Sequence, residues 1–230
     1  MVEALTAALF VASWAKFGSG LALVEALVFL SALIVLFFTD LDERILPDLV
    51  TLPGLAAGLV FSFVRPLSDP TGPGGGIGRA LESVLASSLV AALAALVFWL
   101  LGRFWRLLRP EIDTAIGFGD VKLIAMIGAF LGAPRTLLTI FLGSLLGTLL
   151  YLFSRALALV LPRSAANAPA PFRPFLRTLE SAGFLVNGRG AGLMDLIPFG
   201  SMLAVGAAGS LFFGHALVDA YMAYTGMSVP

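Results

Sequence analysis

Two aspartates stand where an apolar chain has least use for them. Asp40 closes a long apolar run in LFFTDLDERILPD, and Asp120 opens another in GFGDVKLIAMIGAFLG. An ionised side chain in a bilayer is costly, so such acids face a protein interior or a wet cavity. Two acids on different helices at one depth point to a shared site. Their settings differ. Asp120 lies at a predicted helix start, where free N–H groups and the helix dipole favour a carboxylate. Asp40 lies at a predicted helix end, where free carbonyls disfavour one. Close approach adds mutual repulsion. The expected division is an ionised Asp120 and a protonated Asp40, titrating as one coupled pair. An acid and a base about one water is the arrangement that activates water against a peptide carbonyl.

The flanking residues suit such a role. Gly117 and Gly119 bracket Phe118 directly before Asp120. Gly tolerates positive φ and lets another chain come close, so Gly-x-Gly-Asp fits a turn that aims a carboxylate at an extended substrate. The plainer alternative is that Asp120 is only the N-cap of its helix. Gly117, Phe118, Gly119, Lys122, Pro47 and Asp48 are expected to form the turns around the two acids. Asp48, after Pro47, reads as the start of the next helix, with a kink expected at Pro53 and Gly54. Asp42, Glu43 and Arg44 read as a solvated loop. Glu3, Glu25 and Glu82 fall near predicted span ends and are expected to snorkel to water. Asp195 reads as a helix N-terminal acid.

The rest of the composition says what holds these groups. Of 230 residues, 59% are apolar and 12% charged, with mean hydropathy +1.01. A soluble domain carries roughly 45–50% apolar and about 25% charged residues, so a cytosolic globule and a disordered tail are both excluded. The expected fold is an all-α, polytopic transmembrane bundle of about seven helices, forming one membrane-embedded domain over 1–230. Fourteen basic residues balance fourteen acidic ones, leaving no field to attract nucleic acid. With no cysteine and only His215, disulfides, thiolate nucleophiles, iron–sulfur clusters and multi-histidine metal sites are excluded. No metal is expected.

A helix needs ~20 mostly apolar residues to cross a bilayer. Candidate spans lie at about 2–16, 21–39, 49–65, 83–102, 121–134, 136–158 and 196–214. The first and fifth are short. No repeat of fixed period is evident. If the second span runs inward, one face receives Arg44, Arg103, Arg106, Arg109, Lys122, Arg155, Arg163, Arg173, Arg177 and Arg189, and the other Lys16, Arg65, Arg79 and Arg135. Ten against four makes the first face cytoplasmic, with the amino terminus inside. Both acids then lie at the cytoplasmic side. The 159–195 stretch is expected to be a loop, either solvated or lying in the headgroup region through Phe172, Phe175, Leu176, Leu179 and Phe184. The Gly/Pro-rich 65–79 segment is a connector, not a phosphate loop. Gly143 to Gly147 and Gly206 to Ser210 supply small residues for close helix packing.

The pair DLDERILPDLVTLPG (40–54) and GFGDVKLIAMIGAFLG (117–132) resembles the type IV prepilin peptidases, the membrane aspartic proteases of pilus and type II secretion systems. IPFGSMLAVGA (197–207) is similar to that family's last membrane segment, and VEALTAALF to its helix after the cytoplasmic domain. The resemblance covers nearly the whole chain except 159–195. In the family the first catalytic aspartate lies seven residues before the Pro of a Pro-Asp or Pro-Asn pair, which is Asp40 here. The second is the Asp of Gly-x-Gly-Asp, which is Asp120. The resemblance implies cleavage of prepilins or pseudopilins after a Gly that ends a short basic leader, on the cytoplasmic side of the bacterial inner membrane. Glu111 and Asp113 are then candidates to touch the basic leader, or are simply solvated.

Some features depart from the family pattern. Many bacterial members begin with another membrane helix and a cytoplasmic domain bearing two Cys-x-x-Cys pairs. This sequence shows neither, and reads as a natural short form or a trimmed chain. Many members also methylate the new amino terminus with S-adenosylmethionine. That cofactor is implied here only if methyl transfer is present, and proteolysis itself implies none. Thr114 stands where many relatives have Glu. Ser201 follows Pro-Phe-Gly where the family often has Pro, a change expected to leave the two acids untouched. The alternatives are a presenilin-like protease, whose Tyr-Asp is absent because Thr39 precedes Asp40, and a proton-coupled transporter using the same carboxylates. Transporters place their sites near the midplane of repeated halves, unlike two acids at helix ends. A third is a catalytically silent membrane partner of a secretion machine.

Overall fold

In the computed structural model the described residues are 2–68, 77–108, 118–160 and 199–226. They form seven helices: α1 (Val2–Phe17), α2 (Leu21–Glu43), α3 (Asp48–Ser68), α4 (Ile77–Leu108), α5 (Phe118–Leu131), α6 (Ala133–Val160) and α7 (Phe199–Thr225). No strand occurs among the described residues. The all-α bundle is the one expected. The 159–195 loop and Asp195 fall almost wholly outside the described residues, as do Glu111 and Asp113.

Among the described residues, five helices are long and apolar enough to cross a membrane: α2, α3, α4, α6 and α7. This makes the chain a multi-pass membrane protein. The expectation of seven spans is corrected for α1 and α5, which have 16 and 14 residues. At 1.5 Å per residue, α5 is about 21 Å long against a hydrocarbon core of about 30 Å. It forms as a short helix because Gly132, with φ +73, ends it and α6 begins at once.

The short α5 is the buried centre. Leu123, Ile124, Met126 and Ile127 are fully buried on it, and Phe130 stacks on Phe29 of α2 with centroids 4.7 Å apart. α3, α4, α6 and α7 all pack against it. Lipid therefore need not face α5, and its apolar run serves the core. The outer helices show the reverse pattern. Leu89, Leu93 and Trp99 of α4 and Phe141 of α6 are exposed. Such a surface would aggregate in water and is the natural surface in hydrocarbon.

Glycines set the closest approaches, as the small-residue pattern implied. On α7, a Cβ at Gly206 would lie 2.7 Å from the Thr139 carbonyl oxygen and 2.9 Å from the Gly143 nitrogen of α6. Both obstacles are backbone and cannot give way. Gly209, one turn on, would meet nothing nearer than the Leu142 side chain at 3.8 Å. On α3, Gly54 and Gly58 leave room for Met126, Ala129 and Phe130 of α5.

Gly206→Ala is expected to destabilise the protein by about 1–3 kcal/mol through forced separation of α6 and α7. Gly209→Ala is expected to be neutral or stabilising by up to about 1 kcal/mol, from helix propensity alone. Thermal unfolding of the two variants in detergent checks the contrast.

Candidate active site

Asp40 lies in the last turn of α2. Its carbonyl accepts the Arg44 N–H at 3.0 Å, and Arg44 takes a left-handed conformation (φ 55) that ends the helix there. The side chain is 4% exposed. A carboxylate so enclosed needs donors, and α7 provides them. The Ser201 backbone N–H donates to Asp40 Oδ2 at 2.6 Å, and the Ser201 hydroxyl lies 3.0 Å from the same oxygen. Ser201 is the third residue of α7, so its N–H is one of the amides a helix leaves unpaired at its start.

Two expectations are corrected here. Asp40 does stand at a helix C-terminus, but its carboxylate meets the N-terminus of another helix, not a field of carbonyls alone. Ser201 does touch the proposed pair, although as a departure from the family pattern it was expected not to. The signal for it was a hydroxyl in the first turn after Pro198, at the start of an apolar helix.

The Ser201 hydroxyl has one hydrogen and two acceptors in reach, Asp40 Oδ2 and the Phe37 carbonyl at 3.3 Å. With Asp40 ionised, that hydrogen points to the carboxylate. With Asp40 protonated, the hydroxyl can turn to Phe37 while the backbone N–H keeps its bond. The contact thus tolerates both protonation states and fixes the carboxyl position in each. Gly200 makes the approach possible, since a Cβ there would lie 2.7 Å from Asp40 Oδ2.

Leu46 joins this corner to the second acid. It is buried in the connection between α2 and α3. Its side chain lies 3.1 Å from where a Gly200 Cβ would be, and 3.0 Å from where a Gly119 Cβ would be. Gly119 immediately precedes Asp120 in the first turn of α5. The two acid-bearing turns therefore have one leucine as common neighbour, packed where both glycines lack side chains.

Three rulers give the depths. Glu25, Leu131 and His215 line one cavity at the other end of the bundle. From Glu25, Asp40 is fifteen residues along α2; from Leu131, Asp120 is eleven back along α5; from His215, Ser201 is fourteen back along α7. At the helical rise these are about 22, 16 and 21 Å.

The other expected site residues divide. Lys122 Nζ pairs with Asp48 at 2.5 and 2.7 Å, tying α5 to the first residue of α3. The Pro47 carbonyl accepts the Val50 and Thr51 N–H groups at 3.0 and 3.2 Å, so Pro47 begins that helix as expected. Gly117 lies outside the described residues, and Phe118 is placed only as the first residue of α5. Glu25, expected to snorkel, is instead buried and paired with Arg65. Among the described residues, no three of His, Cys, Asp and Glu cluster as metal ligands.

A model of the type IV leader peptidase family matches residues 27–152, a range that holds both acids. The chain belongs to that family. It is 34% identical over 178 residues to a prepilin leader peptidase/N-methyltransferase of Aeromonas hydrophila, covering 76% of this chain and 54% of that protein. A protein of the same description from Myxococcus xanthus is 37% identical over 157 residues, covering 66% and 42%. One from Xanthomonas campestris is 30% identical over 230 residues, covering 99% and 63%. The chain thus spans about half the length of the first two and somewhat more of the third. No solved structure matches it.

Leu46→Ala removes the shared packing unit and is expected to cost about 2–3 kcal/mol of stability. Lys122→Gln breaks an ion pair whose Asp48 side chain is 56% exposed, and is expected to cost under about 1 kcal/mol. Denaturant or thermal unfolding of the purified protein distinguishes the two.

Proposed function

We propose that this protein is a membrane aspartic endopeptidase that removes the basic leader from type IV prepilins or pseudopilins. Cleavage follows the Gly that ends the leader. Asp40 and Asp120 activate the attacking water between them, one as base and one as acid, and exchange roles as the amine leaves. Membership of the leader peptidase family supports the reaction class. The observation that carries the residue assignment is the buried Asp40 carboxylate, fixed by Ser201 in a corner that shares Leu46 with the Gly119–Asp120 turn.

The site lies at the cytoplasmic face of the inner membrane, with the amino terminus inside. The ten-to-four division of basic residues supports this. The prepilin's apolar helix then lies beside the enzyme in lipid, and its basic leader reaches the acids from the cytoplasm. The Lys122–Asp48 pair sits at the start of both α5 and α3 and borders that approach. Phe118 and Gly119, at the start of α5, are the residues past which the substrate backbone extends towards Asp120. Cleavage by two carboxylates needs no cofactor, and S-adenosylmethionine would serve only a separate methyl transfer. The carboxyl pair titrates as a unit, so the pH–rate profile should show two ionisations; a single one would overturn the shared-proton mechanism.

The test is cleavage of a prepilin-like substrate by the full chain in proteoliposomes. Asp40→Asn and Asp120→Asn should each abolish cleavage while leaving the protein folded. Ser201→Ala should lower kcat about tenfold, near the 1.5 kcal/mol of one hydrogen bond to a charged group, with KM little changed. Ser201→Thr should restore most of it. Full activity in either Asn variant overturns the assignment of that acid. Unchanged kcat in Ser201→Ala overturns the positioning role of the hydroxyl.

A further inference from the structure

The end of the bundle opposite Asp40 carries a second polar cluster, which peptide cleavage does not use. A cavity of about 250 Å³ opens there, lined by Glu25, Arg65, Arg135 and His215 together with Phe29 and Phe130. Glu25 is already committed, because both its oxygens receive the Arg65 guanidinium, Nε to Oε2 at 3.1 Å and Nη2 to Oε1.

Arg135 is held differently. Its carbonyl accepts the hydroxyls of Thr139 and Ser210, at 2.8 and 2.9 Å. Its aliphatic stem packs where Gly214 has no side chain, 3.1 Å from the position of a Cβ. Its Nε donates to the Leu131 carbonyl at 2.9 Å. That is one acceptor for a group with five N–H donors, and among the described residues no carboxylate pairs with it. Lys16 adds charge nearby while its Nζ donates to the Leu211 and Phe212 carbonyls. Lys16, Arg65 and Arg135 against Glu25 leave an excess of two positive charges. Asp219, the next acid on α7, is exposed and does not line the cavity, and His215 is counted neutral.

Like charges gathered in a partly desolvated place favour an anion. Its class follows from depth and lining. The cluster is about 22 Å along α2 from Asp40, which puts it towards the opposite membrane interface, where phospholipid phosphates lie. The phenylalanine wall does nothing for an inorganic ion but suits the ester and upper acyl region of a lipid. Ala22, on the lining, is exposed and marks the mouth.

We propose that this cavity binds the phosphate of one anionic phospholipid, with Arg135 as its principal ligand and Arg65 and Lys16 as flanking charge. Bound there, the lipid joins α2, α3, α6 and α7 at the end remote from the acids. The proposal is independent of the peptidase reading, and its test does not use cleavage.

The full chain is purified in uncharged detergent, and retained phosphatidylglycerol is measured by native mass spectrometry and by titration back into delipidated protein. The native protein should retain one phosphatidylglycerol molecule. Arg135→Gln should weaken binding at least tenfold, whereas Arg103→Gln, an exposed basic residue of α4, should leave it unchanged. Ala22→Trp keeps every charge and blocks the mouth, so it should also abolish retention, and it answers the question if Arg135→Gln fails to fold. Equal retention by the native protein and Ala22→Trp overturns the proposal. Stabilisation by inorganic phosphate alone, equal to that by the lipid, overturns the lipid assignment in favour of a free-anion site.

Discussion

The structure depends on one contact, the start of α7 against the Asp40 carboxyl. A carboxylate 4% exposed is stable only if its oxygens are met by donors. The Ser201 amide meets one of them at 2.6 Å. Everything that brings α7 to α2 serves that contact. Gly200 clears the space beside the oxygen, and Gly206 against Gly143 sets how closely α7 lies on α6. The apolar stripe of α7, with Leu203 and Ala207 buried, completes the alignment. Losing any of these leaves a buried carboxyl group without partners, which costs more than the lost packing alone.

Much of this was legible in the sequence. Helix existence and order followed from apolar run length, and the two acids stood out because bilayers penalise them. The Gly143 and Gly206 approach followed from small residues at helical spacing. The Pro47 start of α3 followed from proline's fit to a helix N-terminus. What the sequence concealed were contacts between distant segments. Ser201 and Asp40 are 161 positions apart, and nothing local to either predicts which helix start will face which helix end. Leu46 was equally hidden, since a lone leucine in a polar connection reads as incidental until two glycines are found against it. Glu25 hides its role for the same reason, because its partner Arg65 lies on the next helix and the sequence alone places both near water.

The two polar ends share a design but differ in what they lack. At the acid end, a carboxyl group is buried and supplied with donors from the protein itself. At the other, positive charge exceeds the carboxylates among the described residues, and a guanidinium with one acceptor among them faces a cavity. Between them lies an apolar middle built on Phe29, Ile124, Ile127 and Phe130. A bundle with a saturated end and an unsaturated end looks to its surroundings for charge at only one of them.

The short α5 ties these ends to the membrane. It begins at the Asp120 turn and stops at Leu131, beside the cationic cavity, about 21 Å later. A bilayer core is about 30 Å thick. If the cavity marks one interface, both acids are recessed from the other, Asp40 lying about 22 Å from Glu25 along α2 and Asp120 about 16 Å from Leu131 along α5. Under the proposed function, that recess would suit a bond next to an apolar helix, because a substrate helix would need only to shift along its own axis within lipid to bring its last polar residues level with the two carboxyls. A full-length α5 would lift Asp120 to the surface, so the brevity of that helix, which disqualifies it as a span, is what sets the depth of Asp120.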